Sequence, residues 1–174
     1  MNNRPTGEPA NDFTMPLFPL QIRLIAVGKL RGAIWLPAAT EYSQRVQRYV
    51  KFELLEIRDS IGKGLPEAAA LAEEGKVIAQ ALQPENFLVA LDREGKSFDS
   101  AQLAQLLQKQ IGAGIRKLDF VIGGPVGLDK KILAQANLRL SLSAMTLPHE
   151  LARVVLLEQL YRALTILRGE PYHK

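Results

Sequence analysis

Three short stretches of this 174-residue chain hold the residues whose types and spacing can do chemistry. The first is "FVIGGPVGL", residues 120–128, where Gly123, Gly124 and Gly127 surround a proline directly after an apolar, strand-like run. Without Cβ atoms, such a turn either folds tightly on its own backbone or leaves room for a ligand to meet bare N–H groups. Its spacing is neither G-x-G-x-x-G nor G-x-x-x-x-G-K-S/T, so neither a dinucleotide fingerprint nor a P-loop is indicated. The second is "SLSAMTLPHELAR", residues 141–153. Alternating serines pass through small residues into a helix whose first turn holds Pro148 and His149, an end with free N–H donors. The third is the closing "RGEPYHK", residues 168–174, where Tyr172, His173 and Lys174 follow a glycine and a proline. It reads either as a solvated terminus or as a tail with a task.

These stretches need elements to hold them. From residue 21 onward, short β-branched or apolar runs alternate with longer helical patterns: "QIRLIAV" (21–27), "FELLEIR" (52–58), "NFLVAL" (86–91), "KLDFVI" (117–122) and "LRLSLS" (138–143). Strands alternating with helices predict an α/β fold, a mostly parallel sheet flanked by helices on both faces. Residues 99–111 predict a helix with Leu103, Leu106, Leu107 and Ile111 on one stripe, an Asp99/Gln102 capping box and Gly112 as its stop. Helical patterns over 33–50 and 66–82 are interrupted by Pro37 and Gly75. The last helix, from Pro148 to about Arg168, carries Leu151, Val154, Val155, Leu156, Leu157, Leu160, Leu164 and Leu167 over so wide an arc that it is expected to pack against its own sheet and against another subunit. In an open α/β sheet, ligands settle beyond the carboxyl ends of the strands, where the first two stretches fall.

Composition narrows the chemistry. The length suits a single domain, residues 20–174, preceded by a proline-rich extension over residues 1–19 that reads as flexible. No secretory signal or run of about 18 apolar residues occurs, so a cytoplasmic protein with no membrane partner is expected. The absence of cysteine excludes disulfides and thiolate nucleophiles, and two histidines leave little for a metal centre, so no metal is expected. Residues 1–115 carry 13 basic and 13 acidic side chains, residues 116–174 nine and five, so the whole net charge of +4 falls in the last third. That excess suits either an anionic partner such as RNA or solvated helix faces.

Taken together, "IGGPVGL", "LSLSAMTLPHELARVVLLEQLYRA", the closing "PYHK" and the opening "LIAVGK" resemble the small SPOUT-class methyltransferases that modify a pseudouridine in 23S ribosomal RNA. The likeness spans roughly residues 21–174. It implies an α/β knot in which the C-terminal segment threads a loop as a trefoil, against the general rule for chains. It also implies an S-adenosylmethionine cofactor, a homodimer, and N3-methylation of a pseudouridine in helix 69 of 23S rRNA within assembled 70S ribosomes. Alternatives are a tRNA substrate or a non-catalytic ribosome-binding role on the same fold.

Carried over by position, the cofactor site comprises Leu91, Gly123, Gly124, Gly127, Leu142, Ser143, Ala144, Met145, Thr146, Leu147 and Pro148, with Asp92 close by. The same resemblance casts His173, Tyr172 and Arg153 as catalytic, the imidazole relaying the proton that leaves the ring nitrogen. Arg162, Lys174 and His149 are the expected RNA contacts, with a structural role open for His149 and an ion pair to Glu158 open for Arg162.

Overall fold

Alternation along the first strand sets the two layers around it. In β1 (Gln21–Val27), Ile22, Leu24 and Ala26 point to one face and Arg23, Ile25 and Val27 to the other, every one of them buried. The computed structural model describes residues 16–61 and 63–173. Along the chain follow α1 (Trp35–Gln47), β2 (Lys51–Ile57), α2 (Glu67–Ala81), β3 (Phe87–Ser97), α3 (Ser100–Gly112), β4 (Lys117–Ile122), α4 (Lys130–Gln135), β5 (Leu138–Ser141) and α5 (His149–Arg168). A single 3₁₀ turn, Pro171–His173, closes the described chain.

The strands form one sheet in the order β2-β1-β4-β3-β5, with every pairing parallel. One face packs against α1, α3 and α5 through residues such as Val46, Leu107, Leu157 and Leu160. The other packs against α2 and α4 through Ile78 and Ile132. A sheet buried on both faces needs near-continuous apolar strands, which explains the sequence runs. The exception is the pair at matched register on β1 and β4. Arg23 donates from Nε and Nη2 to the Asp119 carboxylate at 2.8 and 2.5 Å, and Asn86 adds a third donor at 2.9 Å.

The capping box forms as expected: Gln102 N–H donates to Asp99 Oδ1 at 2.7 Å and Asp99 N–H to Gln102 Oε1 at 2.8 Å. We expect Asp99→Ala to cost about 1 kcal/mol in urea unfolding, because the Gln102 N–H loses its acceptor. The stop differs by a little. α3 runs through Gly112, and the chain turns at Ala113 and Gly114, the latter at φ +80° where glycine is favoured. The packed fold also reaches back into the expected extension. Phe18 N–H donates to the Tyr49 carbonyl and its ring joins the larger core, while residues 1–15 lie outside the described residues. The six-residue α4, capped by Asp129, had no readable apolar period in the sequence.

Candidate functional site

At the carboxyl ends of β3, β4 and β5 lies a cavity of about 400 Å³. Leu91 forms part of its wall, then the glycine loop from Gly123 to Leu128, then residues 140–147 apart from Ala144, and finally His149 and Ala152 of α5. Of the residues assigned to the cofactor from sequence, Leu91, Gly123, Gly124, Gly127, Leu142, Ser143, Met145, Thr146 and Leu147 are brought together here. Ala144 and Pro148 are not among its lining residues, Pro148 serving instead as the N-cap of α5. Apolar Leu91, Ile122, Leu140, Leu142 and Leu147 supply surface for a flat ring, and backbone groups of two loops supply polarity, the usual make-up of a small-molecule site.

The glycines divide their labour. A Cβ on Gly123 would stand 2.2 Å from the Gly127 carbonyl oxygen, so that glycine serves the tightness of the turn itself. Gly124 packs on Val27, and its carbonyl accepts from Gly127 N–H at 3.0 Å, closing the loop. Gly127, at φ +89° with nothing within 4 Å of where its Cβ would be, faces open space. Gly123 therefore lines the cavity while fitting the tight-turn alternative of the sequence reading. On the opposite wall, Ser141 Oγ donates to the Ser143 carbonyl and Met145 N–H to Ser143 Oγ, both at 3.0 Å, pinning the loop that leaves Met145 exposed.

The sequence missed the third wall. Leu91 and Lys96 both pair with Leu140 of β5, so residues 92–95 loop out of the ladder and carry Asp92, Arg93 and Glu94 over the cavity. Gly95 permits the crossing, since a Cβ there would meet the Arg139 carbonyl carbon at 2.6 Å. The polar run "DREG" after an apolar strand was the available signal. Asp92 is paired with Arg139, whose Nε donates to it at 2.6 Å.

Arg153, expected to be catalytic, is fully buried and meets no solvent. Its guanidinium donates to Glu56 Oε1 at 2.9 Å and to the Val27 and Gly28 carbonyls at 3.0 Å each, so it ties the β1–α1 loop to α5. Burial lowers its pKa, with Glu56 opposing the shift. Close by, His149 lies against Gly28, its Nε2 3.8 Å from where a Cβ on that glycine would be, so this histidine lines the cavity at its seam with the β1–α1 loop.

Tyr172 lies elsewhere. Tyr172 packs edge-on against Tyr161 at 4.6 Å between centroids and donates to Glu158 Oε1 at 3.2 Å; burial raises its pKa, aided by Tyr42 and Glu158. Arg162 donates to Glu158 at 2.6 and 3.0 Å and stacks on the Tyr172 ring, the ion-pair alternative open at the sequence level. At 1.5 Å per residue, Tyr161 sits roughly 18 Å along α5 from His149, so Tyr172 does not line the cavity of its own chain. The His173 side chain and Lys174 lie outside the described residues.

Beneath the glycine loop, Glu74 of α2 is 1% exposed and accepts from Ser60 N–H at 2.7 Å, its other oxygen unpartnered and near Gly124. Burial raises its pKa. A carboxyl raised on folding holds its proton more tightly in the native state, so stability falls as pH rises from the ordinary glutamate range through the native pKa. We expect Glu74→Gln to remove that fall, so that the variant gains on the wild type in urea midpoints as pH rises above the ordinary glutamate range.

Among the described residues, no group of three or more His, Asp or Glu is placed to hold a metal ion, and no helix is long and apolar enough to cross a membrane.

The family described as "Predicted SPOUT methyltransferase" matches residues 20–173. A protein from Solidesulfovibrio magneticus named ribosomal RNA large subunit methyltransferase H is 49% identical over 87% of this chain and 97% of its own length. One of the same name from Anaeromyxobacter is 44% identical over 89% and 100%. Among solved structures, a probable methyltransferase from Bordetella pertussis aligns with TM-score 0.52 at 15% identity over 84% of this chain and 95% of that one. A tRNA methyltransferase from Aquifex aeolicus aligns with TM-score 0.52 at 17% identity over 88% and 74%. An all-parallel sheet of this order, a glycine-loop cavity at its carboxyl edge and a family match across nearly the whole fold place the chain in the SPOUT methyltransferase family.

Proposed function

We propose that the chain is an S-adenosylmethionine-dependent methyltransferase acting on N3 of a pseudouridine in 23S rRNA, in helix 69 of assembled 70S ribosomes in the cytoplasm. It works as a homodimer whose C-terminal segment is threaded as a trefoil knot. The observation that carries the reading is the convergence of three separated segments on one cavity. The ribosomal RNA assignment is supported by the names of relatives above 40% identity.

The cavity fits the cofactor on its own geometry: about 400 Å³, apolar walls, and at Gly127 backbone that faces open space. When bound, S-adenosylmethionine supplies an electrophilic methyl on a sulfonium. The residues of this chain do the rest. Leu91, Leu142 and Leu147 exclude water from the ring they enclose, and the Gly124–Gly127 loop presents main-chain groups already fixed by their own hydrogen bond. The base enters from the side of His149 and the 92–94 loop. Its N3 proton passes to the imidazole of His173. Because Tyr172 packs on Tyr161, roughly 18 Å along α5 from His149, we assign His173 and Tyr172 of this site to the second copy in the homodimer. A second reading gives the proton to His149 Nε2, favoured by the placement of that histidine in the cavity wall.

Calorimetric titration tests the cofactor arm. We expect one S-adenosylmethionine bound per chain, with affinity reduced at least tenfold in Leu142→Asp, where a charge replaces apolar wall. Undiminished binding by that variant would move the cofactor elsewhere.

A further inference from the structure

Beyond this cavity, the same carboxyl edge of the sheet carries a second depression of about 590 Å³ over the ends of β1 and β2. Four cations line it, Lys29 and Arg31 from the β1–α1 loop and Arg58 and Lys63 from the β2–α2 loop, against two carboxylates, Glu56 and Asp59. We propose that this cleft binds the backbone phosphates of the RNA strand whose target base enters the adjoining cavity. The inference rests on the ribosomal RNA reading above and adds where that RNA runs.

Charge carries the argument. All four cations are exposed, and among the described residues none forms an ion pair. Of the two carboxylates, Glu56 Oε1 accepts from Arg153 and from Leu30 N–H, whereas Asp59, whose Oδ1 accepts from Ile61 N–H, has no cation paired to it among the described residues, so the four cations face one uncompensated carboxylate. Four like charges held around one concavity repel one another until an anion arrives, and a concave surface focuses their field. Among the described residues in the last third of the chain, Arg116, Lys130 and Lys131 are likewise unpaired, but most of the other cations are not. Lys117, Arg139, Arg153, Arg162 and Arg168 each have a carboxylate within ion-pair distance.

Position supplies the rest. Gly28 lines the cleft, His149 lines the cavity, and His149 Nε2 lies 3.8 Å from where a Cβ on Gly28 would be, so the two depressions adjoin. A nucleotide with its base in the cavity carries its neighbours across this edge. Phosphate contacts of that kind fix the register of a strand without reading its sequence.

The test is binding of full-length protein to purified 70S ribosomes across about 50 to 200 mM salt, with S-adenosylmethionine affinity measured in parallel. Lys29→Glu with Arg58→Glu is compared with Lys51→Glu plus Lys109→Glu, the same change in net charge placed at the amino edge of the sheet and on α3. We expect the cleft variant to lose at least tenfold in affinity and to flatten the salt slope by about two, with cofactor binding retained, while the control stays near wild type. Equal losses in both variants, or wild-type binding by the cleft variant, overturn the cleft while leaving the ribosomal reading standing. Failure of the wild type itself to bind ribosomes overturns both.

Discussion

Arg153→Met is expected to lower the unfolding free energy by about 3 kcal/mol, seen as a shifted urea midpoint at unchanged slope. The substitution keeps most of the volume but leaves Glu56 without its partner and two carbonyls, of Val27 and Gly28, without a donor. Breaking one side of a buried pair costs more than the pair contributes, because the remaining charge stays desolvated. Glu56 is 26% exposed on its side chain, which holds the loss toward the low end of the usual range. Replacing both partners, Arg153→Met with Glu56→Met, should cost less than the sum of the two single changes. A loss below about 0.5 kcal/mol in the single variant would show that the arginine is not needed for the fold, and would return it to the list of candidates for touching substrate.

The second large effect concerns the proposed division of one active site between two chains. His173→Ala is expected to lower turnover by about 10²- to 10⁴-fold with cofactor affinity retained, the range for loss of a positioned proton acceptor. Gly123→Ala is expected to fail differently. Its added Cβ collides with the Gly127 carbonyl, so the loop opens and cofactor affinity falls by at least tenfold. Mixing the two variants under conditions that exchange subunits should restore activity that neither has alone, since one hybrid site combines an intact loop with an intact tail. Circular dichroism on each variant separates a folded, inactive chain from an unfolded one. Absence of restoration from folded, exchanging chains would place the tail in the cavity of its own subunit. Near-normal turnover in His173→Ala combined with loss in His149→Ala would transfer the proton to His149.

Much of this architecture was legible because parallel strands buried on both faces advertise themselves as apolar runs, and "QIRLIAV" and "KLDFVI" became β1 and β4 with the same bounds. Asp99 and Gln102 were legible for a local reason, since a capping box is written within four residues. What escaped depends on partners distant in sequence. Arg153 looks like a helix-surface cation until β1 and β2 bring Val27, Gly28 and Glu56 to it from about a hundred residues away. The excursion at residues 92–95 is set by register against β5, which a single strand does not display. Charge counted along the chain does not display how cations cluster in space. Five of the C-terminal cations, Lys117, Arg139, Arg153, Arg162 and Arg168, have carboxylates within ion-pair distance, whereas the balanced first two-thirds gathers Lys29, Arg31, Arg58 and Lys63 in one cleft.

Transfer of a labelled methyl group from S-adenosylmethionine to 70S ribosomes lacking this modification tests the central claim most directly. The account predicts incorporation at a single pseudouridine of 23S rRNA, dependent on the wild-type chain and on an intact Gly123–Gly127 loop. A folded, cofactor-binding wild type that leaves those ribosomes unlabelled, yet methylates tRNA, would contradict it.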